Sequence, residues 1–299
     1  MTRIRQDQHL GLVLMGLAVL TIPMSDTIAK WLSASLSVGE IAWLRFVFQA
    51  ILLLPFVIWY RHRGIRPRAV YLLQGALIAA SILFLFWGLL YLPLANNIVL
   101  FFVEPLILVI FSALFLGEHI TARRWVGVFG GLIGAVVILR PNWSAYGLAS
   151  LLPIVSAVCY AGYLTVTRAF ASASRLQDAL SLQFWVASAA ALVMLGFLLV
   201  GQGFDWSIAR WTQPSPIQWL WLATAGILAS VTHVLIALAF ARSDASLLAP
   251  LQYLEIFGAT LLGWLVFSEW PDAYTVLGGL MIVASGLIVI RERPVETHP

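Results

Sequence analysis

Charged residues are scarce in this sequence, and lysine and cysteine each occur once. Aspartate, glutamate, lysine and arginine together make up 10% of the 299 residues, whereas a soluble domain carries about a quarter. The single cysteine, Cys159, excludes a disulfide within the chain and a cysteine-based metal site. The single lysine, Lys30, lies between alanine and tryptophan. No phosphate-binding loop of the Walker type therefore exists, so the chain alone cannot be an ATP-driven pump.

The sequence also lacks the motifs of common intramembrane hydrolases. The segment "GEHI" contains Glu118 and His119, but the zinc-binding pattern H-E-x-x-H does not occur. Ser230 and His233 share one face of a predicted helix, as a serine–base pair would, yet no G-x-S-x-G turn accompanies them. An enzyme is therefore disfavoured, and so is a channel, because no pore loop or ring-forming repeat occurs. We expect no cofactor, no metal and no nucleic-acid partner.

Apolar residues fill the sequence instead. They make up 62% of the chain, and the mean hydropathy is +0.96, which is more apolar surface than a globular core absorbs. The chain is therefore predicted to be an all-α membrane protein. Crossing the hydrocarbon takes roughly 20 residues, and reading between charged and Gly/Pro-rich breaks gives ten transmembrane helices. The predicted spans are 10–31, 38–60, 69–91, 97–116, 125–139, 148–168, 178–200, 218–240, 247–267 and 273–290.

The basic residues predict the orientation of these spans. If the N-terminus is cytoplasmic, 13 of the 17 basic residues fall on the cytoplasmic side, which is the side that attracts them. Those residues are Arg3, Arg5, Arg61, Arg63, Arg66, Arg68, Arg123, Arg124, Arg168, Arg175, Arg242, Arg291 and Arg293. An odd number of spans would destroy this asymmetry, so both termini are predicted to be cytoplasmic.

The chain contains a weak internal repeat. A shift of 151 residues aligns "VEPLILVIFSALFLGEHITARRWVGVFGGLIGAVVILR" with "LEIFGATLLGWLVFSEWPDAYTVLGGLMIVASGLIVIR" without a gap. Glu104 then meets Glu255, and Glu118 meets Glu269. Acidic residues are so rare here that chance would seldom superimpose two of them.

This repeat divides the chain into residues 1–141, with helices one to five, and residues 142–299, with helices six to ten. Because five is an odd number, the two halves are predicted to cross the membrane in opposite directions. Inverted repeats of this kind are common in secondary transporters, whose substrate site lies near the midplane between the halves.

Several short segments carry a resemblance to a known family. They are the acid and proline of "FFVEPL", the "LGEH" that ends the same helix, the glycine-rich helix after it, and "KWLSASLSVGEIAWLRF" between helices one and two. With them the chain resembles the drug/metabolite transporter superfamily, specifically its tandem EamA-domain members, over essentially its whole length. In the second half Ile256 stands where the first half has Pro105.

The resemblance implies a carrier in a bacterial inner membrane that works by alternating access. Within the superfamily the closest class is that of the aromatic amino acid exporters, so the resemblance implies export of amino acids, aromatic ones first. Another small metabolite, such as riboflavin, a nucleoside or a drug-like cation, is the alternative cargo.

Polar residues inside the spans are the candidates for a substrate site. A charge at mid-membrane costs about 2.5–3.5 kcal/mol on insertion scales, so such an acid predicts a function. Helices four and nine carry the aligned acids Glu104 and Glu255. Buried aromatic rings nearby could stack on a flat substrate. The predicted cavity residues are Asn97, Phe101, Glu104, Tyr163, His233, Gln252, Tyr253 and Glu255.

Depth along the helices suggests charge partners. Arg45 and Glu104 each lie seven residues from the outer end of their helices, and His233 and Glu255 lie at similar distances from the inner ends. We therefore predict the pairs Glu104–Arg45 and Glu255–His233, with purely structural pairing as the alternative. A histidine–glutamate pair can change protonation near neutral pH, which makes it the first candidate for proton coupling.

Prolines within the spans predict places where helices bend. Pro23, Pro105 and Pro250 each remove a backbone donor, so we expect hinges there. Asp26, three residues after Pro23, either faces the cavity or is solvated near the outer end of helix one. The glycine steps of the fifth helix are expected to pack helices together within one monomer.

Overall fold

The computed structural model describes residues 2–59, 69–88, 90–92, 94–139, 147–170, 176–255, 258, 261–262, 265 and 273–290. Within these ranges the secondary structure is helical and contains no strand. The predicted repeat partner of Glu118, Glu269, lies outside the described residues.

The helices follow one another along the chain in the order given below. Short 3₁₀ turns also occur at Gly147–Ser150 and Ser207–Ala209, and a longer 3₁₀ segment occupies Ala249–Leu254. The α-helices are α1 Thr2–Leu32, α2 Val38–Trp59, α3 Ala69–Gly88, α4 Leu94–Phe101, α5 Glu104–Leu116, α6 Ala122–Leu139, α7 Leu151–Ala169, α8 Leu176–Gly203, α9 Pro216–Phe240, α10 Ala245–Leu248 and α11 Ala273–Ile290.

Six helices of the described chain are long and apolar enough to cross a membrane. They are Asp7–Leu32, Val38–Trp59, Ala69–Gly88, Gly147–Ala169, Leu176–Gly203 and Pro216–Phe240. Large apolar side chains such as Leu192, Leu199 and Leu280 remain more than 60% exposed on the outside of the bundle. This surface suits lipid rather than water.

Local signals set the ends of several helices. Ser215 and Gln218 form a reciprocal capping box at the start of α9, with Pro216 as its first residue. Gly117 ends α5 in the left-handed conformation, with φ of 65°. That conformation needs no Cβ and turns the chain so that Glu118 leaves the helix axis.

Four pairs of helices make the most extensive contacts in the bundle. α1 lies along α9 and α3 along α7, while α2 packs on α8 and α6 on α11. A Cβ added at Gly75 on α3 would collide with Ala189 on α8, and one added at Gly226 on α9 would collide with Phe48 on α2. Small residues at both crossings let the backbones approach closely.

Two of the predicted spans are interrupted. The predicted helix 97–116 is divided into α4 and α5 by a turn at residues 102–103, next to Pro105, which has no N–H to continue the helix. The predicted helix 247–267 begins as α10 and passes into the 3₁₀ segment that contains Pro250. By contrast, α1 runs through Pro23 as one helix.

Candidate functional site

A cavity lies inside the bundle. Helices α1, α2, α3, α4, α7 and α9 line it together with the residue that follows the 3₁₀ segment. Its lining residues are Ile22, Ser25, Asp26, Arg45, Ser81, Ile82, Leu85, Ile98, Phe101, Tyr160, Ala229, Thr232, His233 and Glu255.

Three charged side chains from three different elements meet in this wall. Arg45 is only 8% exposed, and its Nε has no hydrogen-bond partner. Its guanidinium carbon lies 5.3 Å from the centre of the Phe46 ring. Asp26 and Glu255 are half-buried, and Asp26 faces the cavity, which is one of the two positions expected from the sequence.

Neither predicted charge pair is a direct contact among the described residues. Glu104 is 1% exposed, and its Oε1 accepts a hydrogen bond of 3.4 Å from Gln252 Nε2, not from Arg45. His233 Nδ1 lies 3.5 Å from Gln49 Nε2. Depth along a helix gives the height of a side chain but not its direction around the axis, which is why the partners differ from those predicted.

The eight predicted cavity residues fall into two layers. Phe101, His233 and Glu255 line the cavity. The other five do not line the cavity, and we call them the outer layer. Two hydrogen bonds in this layer are Asn97 Nδ2 to the carbonyl oxygen of Leu85, at 3.0 Å, and Gln183 Nε2 to Tyr163 Oη, at 3.2 Å. The residues of this outer layer are Asn97, Glu104, Tyr163, Gln252 and Tyr253.

The two interrupted helices touch each other in this outer layer. Tyr253 Oη donates to the carbonyl oxygen of Phe102 at 3.1 Å, and the two rings pack edge to face at 5.6 Å between centroids. A Cβ added at Gly131 would collide with the Tyr253 ring. The crossing supports the cavity wall, because Phe101 and Glu255 lie beside it in the chain.

Some cavity residues were not identified from the sequence. Ser25, Ser81 and Thr232 contribute hydroxyl groups to the wall, and Thr232 Oγ1 lies 2.6 Å from Thr21 Oγ1. Hydroxyl side chains are frequent in membrane helices because they bond to their own backbone, so residue type gave no signal. Phe102 could have been found, since the 151-residue shift aligns it with Tyr253.

A second polar cluster lies at the end of the bundle where α5, α7 and α9 terminate. We call it the Glu118 network: Glu118, Arg124, Arg168, Asp244 and Ser246. The Glu118 carboxylate accepts hydrogen bonds from the backbone N–H groups of Ala245 and Ser246, both at 3.0 Å, and from Ser246 Oγ at 2.7 Å. It thereby satisfies the first backbone donors of α10.

Two arginines complete the Glu118 network. Arg168 donates to Glu118 Oε1 at 3.3 Å, to Asp244 Oδ1 at 2.9 Å and to the carbonyl oxygen of Phe240 at 2.7 Å. Arg124 donates to Asp244 Oδ2 at 3.2 Å and to Ser246 Oγ at 2.5 Å. Through these bonds the network joins α6 and the end of α5 to α7, α9 and α10.

The two polar regions are separated along α9. His233 in the cavity wall precedes Phe240 by seven residues, which is about 10 Å at helical rise. Between them, Ile236, Ala237 and Ala239 of α9 are buried.

The sequence is similar to transporters of several solutes. It is 29% identical over 276 residues to an S-adenosylmethionine uptake transporter of Rickettsia prowazekii, covering 92% of this chain and 90% of the relative. It is 26% identical to the pseudopaline exporter CntI of Pseudomonas aeruginosa, over 95% of this chain and 96% of the relative. A riboflavin transporter of Vibrio cholerae is 28% identical, over 92% and 91%.

Among solved structures, one crystal structure superposes with a TM-score of 0.74 at 20% identity, covering 95% of this chain and 96% of the other. This likeness concerns the fold. The family model of the EamA-like transporter family matches residues 9–140 and again residues 147–291. The chain belongs to the EamA-like transporter family, within the drug/metabolite transporter superfamily, and is a multi-pass protein of the bacterial inner membrane.

Proposed function

We propose that this protein is a secondary transporter that moves a small metabolite through the central cavity by alternating access. The observation that carries the proposal is the cavity itself, which Asp26, Arg45 and Glu255 line together inside the bundle. Charged side chains at this depth in a membrane lower stability, so their presence indicates a function. The similarity to carriers of three different solutes supports transport as the common activity.

For the topology we propose ten transmembrane helices in two inverted repeats, residues 1–141 and 142–299, with both termini cytoplasmic. The helix pairs support it, because a twofold relation turns the α1–α9 pair into the α3–α7 pair. Gly75 and Gly226, which make corresponding close approaches, are separated by 151 residues. Phe102 and Tyr253, which touch each other, are separated by the same number.

For the transport cycle we propose that the interrupted helices bend while the Glu118 network opens. Pro105 and Pro250 lie at the interruptions, so a small rotation there would displace Glu104 and Glu255 together. Glu255 and His233 share the cavity wall and remain our candidates for proton coupling, with Arg45 and Glu104 as further charge partners. Pro23, in a helix that packs against Gly258, is the third proposed hinge.

As the cargo we propose an amino acid, aromatic ones first, and export as the direction. Phe101 and Tyr160 line the cavity with ring centroids 5.7 Å apart, which gives a flat side chain a surface on which to stack. Riboflavin is the second candidate, because a relative of comparable identity is a riboflavin transporter. S-adenosylmethionine, itself an amino acid derivative, belongs to the first class.

The test is flux in liposomes reconstituted with the purified full-length protein. Labelled phenylalanine, S-adenosylmethionine and riboflavin are offered with and without unlabelled solute on the opposite side. Saturable flux that rises with solute on the opposite side is expected for a carrier, whereas a channel shows no such stimulation. Glu255→Gln should reduce flux at least tenfold, and Asp205→Asn, at an exposed acid, should leave it unchanged. Absence of saturable flux of all three solutes would overturn the proposal.

A further inference from the structure

We propose that the cavity recognises a zwitterion, with Arg45 binding a carboxylate group of the substrate and Asp26 and Glu255 binding its cationic centre. This inference rests on the proposed transport function and names the chemical class of its substrate. It is carried by the arrangement of unbonded charges around one enclosed space.

The guanidinium of Arg45 is the first part of the argument. It is more than nine-tenths buried, it lines the cavity, and its Nε makes no hydrogen bond. No described carboxylate oxygen lies within ion-pair distance of it, although Asp26 lines the same cavity and is near enough to attract it. A buried cation with open donors is unfavourable on its own. A substrate carboxylate would satisfy it, because the planar fork of arginine matches two carboxylate oxygens.

The backbone that carries Arg45 is packed closely against α9. Gly226 on α9 packs so closely on α2 that an added Cβ would lie 3.2 Å from the carbonyl oxygen of Arg45 and 3.2 Å from the amide nitrogen of Gln49. The contact between the guanidinium and the Phe46 ring, at 5.3 Å from its centre, favours one position of the side chain. A donor that has fewer positions before binding loses less entropy when the ligand arrives.

The two acids supply the opposite half of the site. Asp26 comes from α1 and Glu255 from the chain that follows the 3₁₀ segment, and both line the cavity without a hydrogen bond of their own among the described residues. With both ionised, the wall has two negative groups facing one positive group. An ammonium or sulfonium centre between them gains from both, while the carboxylate of the same molecule reaches Arg45.

The remaining walls suit the rest of such a molecule. Phe101 and Tyr160 provide aromatic surface, and Ser81 and Thr232 provide hydroxyl groups. A neutral solute offers Arg45 at most an uncharged acceptor, and a simple cation offers it none. A simple carboxylate leaves both acids without a cationic partner. Of these classes, a zwitterion is the one that brings an ionic partner to Arg45 and to the acids together.

The experiment measures binding to the purified full-length protein in lipid nanodiscs by calorimetry. Probes come in matched sets: phenylalanine, phenethylamine without the carboxylate, and 3-phenylpropionate without the amine. S-adenosylmethionine is compared with 5′-methylthioadenosine, which lacks both the amino acid group and the sulfonium charge, and riboflavin serves as the neutral solute. At least one zwitterion should bind ten or more times tighter than its truncated analogues, roughly the effect of one charge-assisted hydrogen bond.

Two variants then assign the halves. Arg45→Gln should weaken binding of the zwitterion at least tenfold and leave phenethylamine unchanged. Glu255→Gln should weaken binding of both the zwitterion and phenethylamine at least tenfold and leave 3-phenylpropionate unchanged. Arg45→Lys keeps the charge but not the planar fork, so its affinity for the zwitterion should lie between that of the unchanged protein and that of Arg45→Gln. Arg210→Gln, at an exposed arginine, is the matched control.

Other results overturn the inference. If Arg45→Gln weakened every probe equally, Arg45 would be structural. If neither zwitterion bound while riboflavin was transported, the inference would fail and the transport function would stand. If no solute showed saturable flux, both would fail, so the two failures can be told apart.

Discussion

The cavity and the Glu118 network are both built from arginines and carboxylates, but they differ in how these groups are satisfied. In the network, Arg168 and Arg124 each donate to Asp244, and Glu118 accepts from two backbone amides and a hydroxyl. In the cavity, Arg45 has an unpaired Nε, and Asp26 and Glu255 line the same space without a hydrogen bond among the described residues. The same side-chain types are therefore hydrogen-bonded in one region and lack partners in the other.

The difference indicates what each region does. Satisfied groups stabilise the arrangement that satisfies them, so the network holds one end of the bundle together. Unsatisfied buried groups lower stability and persist where a ligand completes them. The comparison therefore predicts that the network can be broken only at the expense of the fold, and that the cavity charges can be removed only at the expense of binding.

The largest expected difference between the regions is access to water-soluble reagents. Ile22 is half-buried and lines the cavity, whereas Ser246 is fully buried under Glu118. In a Cys159→Ser background, Ile22→Cys should react with a charged thiol reagent and Ser246→Cys should not. Mass spectrometry of the purified protein measures the extent of labelling, and Gln202→Cys, at an exposed residue, shows that the reagent is active. Equal labelling of both sites would remove the distinction between an accessible cavity and a sealed end.

The next effect is on stability. Glu118→Ala should lower the free energy of unfolding by about 2–4 kcal/mol, because it leaves two backbone donors of α10 without their acceptor and removes one of the two ion pairs of Arg168. The loss should be smaller than the largest values for breaking a fully buried ion pair, because the Arg168 side chain is 25% exposed and water screens the interaction. Denaturant unfolding in detergent measures the change, with Asp205→Asn as the control. A loss no larger than that of the control would mean that the network contributes nothing to the fold.

The sequence predicts where residues lie along a helix better than it predicts which partners they contact. Apolar runs and rare acids mark spans and depth, so the positions of Glu255 and His233 in the cavity wall could be predicted. The direction of each side chain around its helix depends on tertiary packing. This is why Glu104 contacts Gln252 rather than Arg45.

The Glu118 network was harder to predict than the cavity. "LGEH" identified Glu118, and the basic residues near it were attributed to membrane orientation alone. Its bonds join residues 50 to 128 positions apart, and no local pattern encodes such pairings. The helix interruptions were better indicated, since Pro105 and Pro250 both lack the backbone donor that a continuous helix needs.

The smallest expected effect separates the two regions most directly, because the same substitution is made in both. Arg168→Gln should lower the free energy of unfolding by about 1–2 kcal/mol, since it removes ion pairs with Glu118 and Asp244 that are partly screened by water. Arg45→Gln should leave it unchanged or raise it by up to about 1 kcal/mol, since it removes a buried charge whose Nε has no hydrogen-bond partner in the described part of the chain. Denaturant unfolding of the ligand-free protein measures both. A loss at Arg45 as large as that at Arg168 would show that the attraction between Arg45 and Asp26 already satisfies the guanidinium, and the cavity would then need no zwitterion to complete it.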